Sequence, residues 1–125
     1  MNAVPNNSLF LANIHQQPAE LFSWGELRWL CSEKQSAGAL QTFGHCRIFP
    51  GHVNPMHFHP NCEELLYLVT GQGEHRFNDD WVKLEAGTLI RIPAFVRHCL
   101  RNTGTKPLEC LISFSSGNRE TVFLE

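Results

Sequence analysis

Apolar and polar residues alternate with period two along most of the chain, and the alternation is cut every several residues by turn formers. The clearest run is 64–70. Glu64, Leu66 and Leu68 share one face there, and Leu65, Tyr67 and Val69 share the other. Residues 108–114 behave alike, with Cys110, Ile112 and Phe114 set against Glu109 and Ser113. The pattern predicts strands over 26–31, 40–49, 64–70, 74–77, 81–84, 88–92, 96–102 and 108–114. Residues 53–59 read as extended but irregular or at an edge, because Pro55 and Pro60 withhold backbone donors. Asn78-Asp79-Asp80 predicts a hairpin turn. Helical periodicity is weak, and 17–24 is the best helical candidate. So many short strands predict an all-β sandwich or barrel. Residues 1–22 read as an irregular arm and 23–125 as a single barrel domain.

Composition narrows the function classes. The 125 residues suffice for one core, and 42% hydrophobic with 18% charged residues is a globular balance. Net charge is −2 and no basic run occurs, so no nucleic-acid partner is expected. Residues 1–20 lack a basic stretch followed by an apolar one, and no apolar run is long enough to span a bilayer. The expectation is a cytoplasmic chain with no membrane partner. The five cysteines are odd in number and contain no CxxC pair, which favours reduced thiols over disulfides or a zinc ribbon.

Two segments carry chemistry. The first holds Gly51, His57, His59, Glu63, Glu64 and Gly71; the second holds Gly87, Pro93, His98 and Asn102. His57 and His59 are two apart and point the same way on an extended chain. Glu64 shares its face with Leu66 and Leu68, so it, rather than Glu63, turns inward. His98 lies on a strand remote in sequence, which a closed antiparallel barrel can bring alongside. His57, His59, Glu64 and His98 are therefore the candidate metal ligands, set among apolar neighbours.

These segments resemble the paired motifs of the cupin superfamily. Gly51, His57, His59, Glu64 and Gly71 fill G-x5-H-x-H-x4-E-x6-G without a gap. Gly87, Pro93, His98 and Asn102 fill G-x5-P-x-G-x2-H-x3-N, except that Phe95 stands where the family has glycine. The resemblance implies a double-stranded β-helix, or jelly-roll barrel, with a metal held by the four candidates. The short gap between motifs looks like small single-domain bacterial cupins, many of them homodimers. The departure at Phe95 puts the local turn in question, because glycine often serves a positive φ there.

Three imidazoles and a carboxylate suit a divalent first-row ion, with Fe(II) or Mn(II) favoured and Ni, Co, Cu or Zn as alternatives. The predicted pocket is apolar: Cys46, Ile48, Leu66, Leu68, Ile90, Ile92, Leu100, Cys110, Ile112 and Phe114. No arginine or lysine is placed inside, and Arg47 is expected outside. His75 is a candidate acid or base behind the metal, with a surface or rim position the preferred reading. Trp24, Trp29 and Trp81 read as packing or dimer residues, and the Leu65-Tyr67-Val69 face needs cover. The function expected is a metal-dependent oxygenase, decarboxylase or lyase acting on a small, apolar or aromatic oxygen-donor metabolite. The alternatives are a ligand-binding sensor and a sugar or uronate isomerase.

Overall fold

A computed structural model describes residues 8–124. Its eleven strands are β1 (Glu20–Phe22), β2 (Gly25–Cys31), β3 (Thr42–Ile48), β4 (His57–Phe58), β5 (Glu64–Thr70), β6 (Gln72–Phe77), β7 (Asp80–Glu85), β8 (Leu89–Ile92), β9 (His98–Asn102), β10 (Leu108–Phe114) and β11 (Val122–Phe123). They form two antiparallel sheets, ordered β1-β2-β3-β10-β5-β8 and β11-β4-β9-β6-β7. The two sheets face each other as a jelly roll, the architecture expected from the alternation.

The core lies between the sheets. Alternate residues of β3, β5 and β10 fill it: Cys46 and Ile48, Leu66 and Leu68, Cys110, Ile112 and Phe114 are all buried. Their outward neighbours make polar contacts instead. Arg47 of β3 pairs with Glu109 of β10 at 2.8 Å, outside as expected. The outer face of β5 and β8 leaves Leu65, Tyr67, Val69 and Leu89 exposed.

One expectation is corrected. Residues 17–24 contain no helix. A 3-10 turn spans Ile14–Gln16, and then β1 pairs with β2 in a tight hairpin, with Phe22 opposite Gly25. Edge pairing to a neighbouring strand outweighs the weak local helical pattern. The same hairpin extends the folded part of the chain into the arm expected at 1–22; residues 1–7 of that arm lie outside the described residues. The extended stretch 53–59 is a strand only at His57–Phe58, with one isolated bridge from Val53 to Arg101.

The ends of the second motif are fixed by two different devices. Asn102 is buried, and its amide donates to Ile48 O (2.9 Å) and Lys106 O (2.8 Å) while its oxygen accepts from Gly104 N (2.9 Å). It locks the turn after β9 to the end of β3. At the other end, Phe95 itself adopts φ +70°, the left-handed conformation for which glycine is suited. Its N–H donates to His59 O at 3.0 Å, and its ring lies 6.0 Å from that of Phe58. The glycine is missing, but the turn it serves is kept.

A left-handed residue with a β-carbon costs about 1–2 kcal/mol. Once the ring is removed, Phe95→Gly is therefore expected to be more stable than Phe95→Ala by about 1 kcal/mol in urea unfolding, although glycine ordinarily destabilises relative to alanine. Equal stability, or alanine ahead, would show that the φ of this turn carries no strain.

Candidate metal centre

The site is assembled by strand pairing. His57 on β4 lies directly opposite His98 on β9 in the antiparallel register. His59 follows two residues after His57, and Glu64 opens β5 in the facing sheet. One ligand atom from each of His57, His59, Glu64 and His98 lies within 4.8 Å of the others. His59, Glu64 and His98 are 3%, 5% and 3% exposed, and His57 is 9% exposed.

Backbone carbonyls fix which nitrogen of each ring faces inward. His57 Nδ1 lies 2.7 Å from Pro55 O, His59 Nδ1 2.9 Å from Glu120 O, and His98 Nδ1 2.9 Å from Val96 O. A carbonyl oxygen only accepts, so each Nδ1 carries the hydrogen. In the neutral rings each Nε2 then presents a bare lone pair. His98 Nε2 is 3.1 Å from Glu64 Oε1, and His59 Nε2 is 3.2 Å from the same oxygen without hydrogen-bond alignment. Buried lone pairs aimed at one another repel unless a cation lies among them. The donor set and its orientation thus fit a divalent metal ion.

Electrostatics agree. Burial opposes charge on Glu64, but positive charge and N–H donation from the His59 and His98 side outweigh it and hold the carboxyl well below its usual range; neutral Nε2 lone pairs cannot do this, and a cation among the donors would. Burial, reinforced by His98, pushes His57 down to about 4, so it stays neutral and able to ligate near neutral pH. Glu63, the competing carboxylate, points outward into an ion pair with Arg91.

The group stands in a cavity of about 410 Å³. Of the expected pocket residues, Cys46, Leu100, Ile112 and Phe114 line it. Ile48, Leu66, Leu68, Ile92 and Cys110 are buried in the core behind the wall, and Ile90 is half-buried against that core. Cys110 does not reach the metal group; a hydrogen bond with Cys46, and burial, hold its thiol protonated.

Three residues are placed differently from expectation. His75 is not at the rim: it is fully buried, lines the cavity, and stacks on His98 with ring centroids 5.7 Å apart and planes at 14°. Neither of its ring nitrogens has a hydrogen-bond partner among the described residues. Burial, with His98, pushes it down to about 4. The inward parity of Gly73, His75 and Phe77 on β6 was the signal for this position. Trp24 lines the cavity as well as packing on Phe22 at 4.9 Å. Arg119, from the segment after β10, brings a guanidinium to a cavity in which no cation was expected.

Comparison with known proteins agrees with this architecture. The cupin domain family model matches residues 44–114, and the chain belongs to that family. It is 32% identical over 81 residues to tetracenomycin polyketide synthase protein TcmJ of Streptomyces glaucescens, covering 64% of this chain and 54% of the relative. It is 37% identical over 81 residues to protein SchB of Streptomyces halstedii, covering 64% and 58%. The chain thus spans a little over half the length of these curated relatives. Among solved structures it resembles the Lactobacillus farciminis oxalate decarboxylase formate complex (TM-score 0.80, 22% identity, 88% of this chain and 34% of that one). It also resembles Bacillus subtilis oxalate decarboxylase, described with Mn(II) centers (TM-score 0.81, 20% identity, 89% and 31%). At those identities what is shared is the fold. The protein is a cupin with a His/Glu metal-binding group. Among the described residues no helix is long and apolar enough to cross a membrane.

Acid should destabilise the metal-free fold. His57 and His75 have folded-state values of about 4 against an ordinary 6.5. Between those values the unfolded chain binds protons that the folded one refuses, so stability is kept above about pH 6.5 and falls as pH drops toward 4. The lowered Glu64 adds a loss of the same sign below its ordinary 4.5. Thermal unfolding of metal-free protein should show this fall, flattened in His75→Leu; a pH-independent melting temperature would contradict it.

Proposed function

We propose that this cupin is a metal-dependent enzyme of oxygenase, decarboxylase or lyase type. It acts on a small, largely apolar or aromatic metabolite through that metabolite's oxygen donors. The carrying observation is the convergence of three Nε2 lone pairs and one carboxylate oxygen at an apolar cavity. A divalent ion held there by His57, His59, Glu64 and His98 would act as a Lewis acid on an oxygen-donor substrate. Fe(II) or Mn(II) is favoured, because three nitrogens and one oxygen leave positions open in an octahedral shell.

The chain's own residues supply the rest. Phe22, Trp24, Leu27, Ile112 and Phe114 exclude water and give a flat or apolar substrate a surface. His75, buried and unpartnered behind His98, can hydrogen-bond to substrate or hold a proton at a ring nitrogen. The tetracenomycin polyketide synthase protein among the relatives supports a substrate with several oxygens on a carbon frame. The five thiols, none of them in a disulfide, suit a cytoplasmic location. The exposed Leu65, Tyr67, Val69 and Leu89 face suits burial in a homodimer.

Two measurements test this reading. Protein loaded with Fe(II) or Mn(II) should turn over candidate oxygen-donor aromatics or keto acids, followed by oxygen uptake and product analysis, and His98→Ala should abolish turnover. Tight ligand binding with no metal-dependent turnover would instead support a sensor. Light scattering should give twice the chain mass, falling to the single-chain mass in Tyr67→Glu; a monomeric wild type removes the dimer.

A further inference from the structure

Arg119 is the feature of the cavity that the metal group does not explain. Its side chain lines the cavity together with His57, His59 and Glu64. Its guanidinium carbon lies 4.3 Å from the Trp29 ring centroid and 5.0 Å from that of Phe114. These rings fix its position but take none of its five N–H donors. Among the described residues it makes no hydrogen bond and no ion pair. Glu20 also reaches the cavity, but its carboxylate accepts the Trp29 indole N–H and is not paired with Arg119. Burial opposes the guanidinium charge, and only the more distant influence of Glu64, Cys62 and Glu20 supports it.

The segment carrying Arg119 is also tied to the metal group. The next residue's carbonyl, Glu120 O, accepts from His59 Nδ1, and Thr121 Oγ1 lies 3.2 Å from the same nitrogen. The cation is therefore held at a fixed place relative to the ligand set. Half-buried on aromatic rings, with its donors unspent in an apolar cavity, it is arranged to receive an anion.

We infer that Arg119 is the anion-recognising residue of this cavity, and that the natural ligand carries a carboxylate on an apolar or aromatic body. The guanidinium fork matches a carboxylate with two parallel hydrogen bonds, and Trp29 and Phe114 hold the fork in place. The inference rests on the proposed metal-dependent function only for the oxygen donors at the other end of the ligand.

A matched pair of probes separates the two. 3,4-Dihydroxybenzoate and 3,4-dihydroxybenzamide offer the same catechol oxygens and differ in the charge of the remaining group. Calorimetry on Mn(II)-loaded protein should show the acid bound about tenfold or more tightly than the amide. Arg119→Gln should erase that preference while leaving the amide's affinity and the bound manganese unchanged. Arg119→Lys, which keeps a charge without the fork, should retain part of it, and it guards against misfolding of the glutamine variant. The same pair is titrated into metal-free protein. A preference for the acid that depends on Arg119 but not on manganese would uphold the anion site while removing the metal-dependent reading of the ligand. Equal binding of acid and amide by wild type, a preference that survives Arg119→Gln, or binding of neither probe by either form would overturn the inference.

Discussion

Three hydrogen bonds from imidazole Nδ1 to backbone carbonyls organise this molecule's chemistry. Pro55, Glu120 and Val96 supply the carbonyls, and each sits within two residues of a ligand histidine or on the segment beside one. By accepting the Nδ1–H hydrogen bonds they turn the three Nε2 lone pairs toward Glu64. The barrel then has to hold four buried donors close together. Antiparallel pairing of His57 with His98 brings two of them into register, and the facing sheet delivers the carboxylate. A divalent ion converts mutual repulsion into coordination, so metal binding and folding of this end of the barrel are linked.

Around that group the cavity is divided by chemistry. Apolar and aromatic walls lower the local dielectric, which strengthens each remaining charge. The polar groups that stay are few and placed: His75 behind His98, and Arg119 on the segment that also anchors His59. A site with unspent donors on one side and an ion-binding group on the other would orient the proposed ligand from both ends.

Much of this was legible in the sequence, for physical reasons. β3, β5 and β10 lie in the middle of a sheet with one face on the core, so period-two alternation is strong and even marks Glu64 as inward. The ligand set follows from parity within a strand together with the order of the two motifs. His75 was misplaced because β6 is short and carries Glu74 and Arg76 between its inward residues, which makes the strand look like surface. Gly73 and Phe77 at two residues to either side were the correcting signal. Arg119 follows the last strongly patterned strand, in a segment without periodicity, and only tertiary packing onto Trp29 and Phe114 brings it to the cavity. The stretch 17–24 is decided by edge pairing to β2, a contact that local propensity does not encode. At Phe95 the motif's glycine is absent while its backbone conformation persists, held by the bond from Phe95 N–H to His59 O.

Anomalous diffraction from crystals of the Mn(II)-loaded protein tests the converging donors most directly. The predicted result is one full ion bonded to Nε2 of His57, His59 and His98 and to a carboxylate oxygen of Glu64, at roughly 2.0–2.3 Å. An ion bound through Nδ1, or a position 98 side chain out of bonding reach of the other three, would contradict it.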